Sequence, residues 1–78
     1  MKNVNIMLGS INDIKAFINA ASEQDFEIDL LSGRYVIDAK SIMGVFSLDL
    51  SKPLRVEIHD NSEKADAFIE NIENFLVK

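Results

Sequence analysis

The sequence has no cysteine and no tryptophan, and only one proline, three glycines, one histidine and one tyrosine in 78 residues. Without cysteine, disulfides and thiolate metal sites are excluded, so stability has to come from packing alone; the lack of cysteine also suits a reducing compartment. So few turn formers leave little room for loops or linkers, and no internal repeat or low-complexity segment is visible. Positive charge is scarce as well: eight Lys and Arg stand against thirteen Asp and Glu, a net charge of −5. The basic stripe that nucleic acid or an anionic membrane surface would require is missing, so neither is expected as a partner. No apolar run approaches a membrane span, and the first residues, Met-Lys-Asn-Val-Asn-Ile, lack the apolar core of a signal peptide. A soluble, cytoplasmic chain is expected.

What is present is the composition of a globular protein, 47% apolar and 27% charged, sufficient for one modest core in a single domain over 1–78. In residues 3–8, Val4, Ile6 and Leu8 share one face of a half-buried strand, which Gly9 ends. Ser10 then reads as a helix N-cap, with Asp13 as a weaker relative of the capping box. Ile11, Ile14, Phe17, Ile18 and Ala21 follow at helical spacing and predict a helix over 11–22 with that stripe inward. Two strand patterns, 26–31 and 34–39, flank Ser32-Gly33. A two-residue turn there sets Leu30 opposite Tyr35, Ile28 opposite Ile37 and Phe26 opposite Ala39, with Glu27, Asp29, Val36 and Asp38 on the other face. After a short helix at 41–47 and a turn over 49–53, Pro53 leads into a strand in which Leu54, Val56 and Ile58 alternate with Arg55, Glu57 and His59. Asp60 or Asn61 is the expected cap of a last helix, with Glu63 in its first turn. Its inward stripe is Ala65, Phe68, Ile69, Ile72, Phe75 and Leu76. The order is β-α-β-β-α-β-α. One-sided elements predict an α+β fold, a four-stranded and mainly antiparallel sheet with helices on one face. Water covers the other face, which carries Glu27, Asp29, Arg34, Arg55 and Glu57. The pattern does not give the strand order.

Residues 39–50 stand apart from this regular patterning. Lys40 and Ser41 precede the apolar residues Ile42, Met43, Val45 and Phe46, with Gly44 among them and no further charge until Asp49. A buried strand and a short helix opening at Ser41 both fit such a run, and the capping serine favours the helix. Gly44 weakens a helix by about 1 kcal/mol relative to alanine, which one or two turns tolerate. A helix this short cannot bury every apolar side chain, so some of Met43, Val45 and Phe46 should remain at the surface as a contact site.

The run Lys40 to Leu48, Lys-Ser-Ile-Met-Gly-Val-Phe-Ser-Leu, resembles the second signature of the HPr family, the small phosphocarrier proteins of the bacterial sugar phosphotransferase system. Only Phe46, at a variable position, stands outside the match. The succession of elements is also similar to the open-faced β-sandwich of that family. The resemblance implies that Ser41 is a regulatory phosphorylation site for a dedicated serine kinase, and that Lys40, Ile42, Met43, Val45 and Phe46 dock protein partners. Helix capping and ordinary core packing are the structural alternatives for the same residues.

The family's carrier chemistry uses a histidine in the motif Gly-Leu-His-Ala-Arg-Pro-Ala at the start of the first helix. There imidazole is the nucleophile, arginine neutralises phosphate, and helix N–H groups meet its oxygens. Here the stretch reads Leu8-Gly9-Ser10-Ile11-Asn12-Asp13-Ile14, which puts Ser10 at the histidine position, Asn12 at the arginine and Asp13 at the proline. No His, Arg or Pro occurs from Met7 to Ala16. No catalytic residue, enzyme activity or cofactor is therefore expected, and capping accounts for Ser10. His59, Glu57 and Asp60 offer metal donors close together in sequence but lack a fourth, so they read as decoration of an exposed strand with no metal. The chain is thus similar to HPr paralogues that lack the histidine, keep the serine and act in carbon catabolite control. The resemblance implies a non-catalytic regulatory or adaptor protein whose partners are an HPr-type serine kinase and a transcriptional regulator or phosphotransferase-system component. Two alternatives stay open: a phosphocarrier with a relocated phosphoacceptor, and an orphan HPr-fold interaction module.

Overall fold

Strand β4 (Leu54–Ile58) is the centre of the molecule, and its alternation explains why: Leu54, Val56 and Ile58 are buried while Arg55 and Glu57 face the other way. The structure, a computed structural model, describes residues 1–77. Around β4 lie β1 (Lys2–Ile6), α1 (Ile11–Ser22), β2 (Ile28–Ser32), β3 (Tyr35–Asp38), α2 (Ile42–Phe46) and α3 (Glu63–Asn71), followed by a short 3₁₀ turn over Glu73–Phe75. The sheet has four strands in the order β1-β4-β2-β3, and every neighbouring pair is antiparallel. The helices pack on one face. Between them and the sheet sits a wholly apolar core in which Phe68 of α3 meets Phe17 of α1 at 6.3 Å and Phe26 edge-on at 6.4 Å between ring centroids. Such tilted and edge-to-face contacts suit the aromatic quadrupole. No described polar or charged residue is buried.

Helix α1 has the bounds the spacing predicts, but its inward stripe begins at Ile14; Ile11, at the first helical position, is 61% exposed. The β2–β3 hairpin is shifted by two residues from the expected pairing. Ser32 lies opposite Tyr35 and Leu30 opposite Ile37, so the turn is Gly33-Arg34. The reason is conformational. Gly33 has φ +58° and no other described residue has positive φ, the sign pattern of a II′ turn, which needs glycine at its first central position. A slip of two keeps every side chain on its predicted face, because strand periodicity is two. It changes only the partners, and Tyr35 ends up exposed beside the turn.

At α3 the cap is Ser62, not Asp60 or Asn61. Asp60 instead accepts hydrogen bonds from the Ser62 N–H (3.0 Å) and hydroxyl (2.6 Å), holding the serine whose oxygen receives the Lys64 N–H at 3.2 Å. The predicted stripe also outruns the helix, which ends at Asn71 with Ile72 buried at its cap. The 3₁₀ turn then redirects the chain, and Phe75 and Leu76 pack on the core beside β1. The Met7 N–H donates to the Phe75 carbonyl (2.8 Å), the Val77 N–H donates to the Asn5 carbonyl (2.9 Å), and Leu76 bridges to Ile6.

On the solvent face, register sets Asn3, Glu57, Asp29 and Asp38 side by side across all four strands.

Candidate functional site

The start of α1 is built by capping. Ser10 is extended (φ −151°, ψ 166°) and its hydroxyl oxygen accepts the Asp13 N–H at 3.1 Å. Asp13 reaches back to accept the Gly9 N–H at 3.1 Å, one residue before the cap, so the box is displaced by a position. Ser10, Ile11 and Asn12 are exposed here. No imidazole is near: His59 follows β4 on the opposite face of the sheet.

Helix α2 follows the same capping logic on a smaller scale. The Ser41 hydroxyl oxygen accepts the Gly44 N–H at 3.2 Å, and one short helix of five residues follows. It buries Val45 completely and leaves Ile42 51%, Met43 80% and Phe46 41% exposed. Val45, expected among the docking residues, is therefore part of the core, since it is the side chain that anchors α2 to the fold. Lys40 is engaged elsewhere, its ammonium donating to the Gln24 carbonyl at 2.8 Å and its N–H to Asp38 at 2.9 Å. The structure thus brings Ser41 together with three exposed apolar side chains, Ile42, Met43 and Phe46, on a helix that packs against α1.

The acidic side chains near His59 sort differently from their order in the sequence. Asp60 turns to Ser62, whose hydroxyl holds the Asp60 carboxyl below its ordinary value near 3.8. Asp49 is lowered in the same way by the Ser51 hydroxyl, with the Ser51 N–H second. His59 instead meets Asp29, with Nε2 2.8 Å from Oδ2. Asp29 is thirty positions away in sequence and becomes its neighbour only through β2–β4 pairing. A cleft lies elsewhere, about 400 Å³ between the β2–β3 turn and the loop after α2, lined by Arg34, Tyr35, Leu48, Asp49 and Lys52 among others. None of Ser10, Ser41 or His59 lines it, so shape alone does not mark a site here.

Comparison with known proteins gives a consistent result. The family model for the PTS HPr component phosphorylation site matches residues 13–78, a span that begins after Ser10 and Asn12. No curated protein matches the chain. Among solved structures fourteen chains match. HPr-C-His from Thermoanaerobacter tengcongensis is similar at 25% identity and a TM-score of 0.76, over 95% of this chain and 93% of that one. A histidine-containing phosphocarrier protein from a mycoplasma shares the fold at 19% identity and a TM-score of 0.69, over 94% of this chain and 86% of that one.

Proposed function

The chain belongs to the PTS-HPr family, and from that membership we propose that it is a non-catalytic regulatory or adaptor member, switched at Ser41 and docking partners through α2. One observation carries the reading: a capping serine stands directly beside exposed Ile42, Met43 and Phe46, three apolar side chains grouped on one short helix as contact sites often are. The start of α1 adds support, because it presents Ser10 and Asn12 and has neither an imidazole nor an arginine to transfer or neutralise a phosphate.

A phosphate on Ser41 adds roughly 1.5 to 2 negative charges next to this patch. The cap position tolerates that charge, since the orphan N–H groups of α2 face it. The fold is retained while the patch changes from apolar to apolar-with-anion, which alters partner choice without moving the backbone. Proteins of this family interact with other phosphotransferase-system proteins. By resemblance the partners here are a serine kinase of the HPr type and a transcriptional regulator or another component of that system. No helix among the described residues is long and apolar enough to cross a membrane.

The test is incubation with ATP and an HPr-type serine kinase, with the product mapped by mass spectrometry. One stable phosphate on Ser41, absent in Ser41→Ala, is the expected result. No incorporation by a kinase that labels a control HPr would overturn it. A parallel incubation with phosphoenolpyruvate and the general phosphotransferase enzyme separates the roles, because acid-labile phosphate on any residue would indicate a carrier instead.

A further inference from the structure

We propose that Asp29, Glu57 and His59 form a binding site for a divalent transition-metal ion of the zinc type on the solvent face of the sheet. Each supplies one donor atom, and the three donors lie within 4.8 Å of one another. An ion bound at about 2.0–2.2 Å from nitrogen and carboxylate ligands spans donors up to about 4 Å apart, so small rotations of the side-chain tips complete the set. The backbone beneath them is fixed. Asp29 and Glu57 are direct cross-strand partners on β2 and β4, and the His59 N–H is pinned to the Glu27 carbonyl at 2.9 Å. Asp29 and Glu57, carried by paired central strands, keep their geometry better than ligands on loops, and His59 directly follows β4.

A second observation is independent of these distances. Asp29 has Glu57 opposite it on one side and Asp38 on the other, three carboxylates in one row. Like charges directly opposite each other destabilise a sheet. The compensation is thin: Arg55 Nε stands 3.6 Å from Glu57, Asp38 receives only the Lys40 N–H, and Asp29 is met by His59 alone. The row carries more negative than positive charge in the middle of the sheet, and a divalent ion between Asp29 and Glu57 would offset it.

The donor chemistry selects the ion. One imidazole with two carboxylates and no thiolate suits zinc and its transition-metal neighbours, whereas magnesium and calcium prefer all-oxygen sets. Three protein ligands leave a position for water or for a donor from another molecule. Because the side chains are partly exposed, the ion should be exchangeable and not structural. The site lies on the face away from Ser41 and does not depend on the function proposed above.

The experiment is titration of the untagged protein with Zn²⁺ by calorimetry, together with histidine and amide NMR spectra. Expected are saturable binding of one ion per chain and changes centred on the His59 ring. His59→Gln and Asp29→Asn should each weaken binding by more than about tenfold, the loss that even outer-shell substitutions produce. Both are surface changes, and an unaltered circular dichroism spectrum confirms that the variants are folded. Absence of saturable binding, binding indifferent to His59→Gln, or equal occupancy by Mg²⁺ would each overturn the proposal.

Discussion

A methyl group placed on Gly44 would lie 2.5 Å from Ile37 Cγ2 and 3.1 Å from the Ser41 hydroxyl oxygen. In the sequence this glycine reads as a weak point in a helix; in the structure it is what lets α2 come down onto β3. Ile37 is β-branched and cannot easily swing aside. Overpacking of this kind costs roughly 1–3 kcal/mol, against a gain of about 1 kcal/mol in helix propensity. Gly44→Ala is thus expected to destabilise by about 1 kcal/mol net, read as a lower urea midpoint; an equal or higher midpoint would mean that α2 shifts freely. The carboxyls of Asp49 and Asp60 give a second residue-scale expectation. Each is held below 3.8 by a serine hydroxyl two residues on, so its contribution to stability is present above pH 3.8 and is lost as pH falls through the folded value. Ser51→Ala should raise the Asp49 pKa towards 3.8, measured by NMR titration of the carboxyl carbons.

Among the elements, those bounded by local chemistry were legible. Ser10 and Ser41 announce α1 and α2 because a capping hydroxyl acts within three residues of itself. The hairpin shows where legibility stops. Its faces follow from alternation, but its partners depend on which turn residue takes positive φ, and glycine at the first turn position rather than the second moves the register by two. Gly33→Ala would force a Cβ into the left-handed region and should cost about 1–2 kcal/mol, checked by denaturant unfolding; no loss would show that the turn re-forms in another class. The end of α3 departs from the predicted stripe for a related reason, since Phe75 and Leu76 keep helical spacing through a 3₁₀ turn but pack half-buried beside β1. The Asp29–Glu57–His59 cluster was invisible because it needs the β2–β4 pairing, a matter of strand order that periodicity does not contain.

For the whole molecule, Phe68 is the residue that ties the layers, touching Phe17 from α1 and Phe26 ahead of β2 while fully buried. Removing such a ring costs roughly 3–5 kcal/mol, a large share of the roughly 5–15 kcal/mol that holds a domain folded. Phe68→Ala should lower the melting temperature by about 12 °C or more, followed by circular dichroism; a smaller fall would mean that the neighbouring side chains collapse into the space. The overall layering is readable from amphipathic elements alone, and the run from Lys40 to Leu48 by itself resembles the family's signature. What no sequence pattern could separate was Val45 from its neighbours, because a one-and-a-half-turn helix has too few residues to define an inward side.

The pairing of residues 75–77 with β1 has a consequence for how copies of this protein could associate. Along Asn5–Met7 the outer edge of β1 is already occupied by its own chain, whereas β3 ends the sheet on the other side. Such a sheet is a ribbon with one margin covered at one end and one free margin. Two copies joined β3 to β3 would present partly covered margins at both ends, which disfavours further growth there. A fibre that paired along the whole of β1 would first have to displace residues 75–77 from Asn5–Met7, so the same few hydrogen bonds that finish the core also guard that end of the edge.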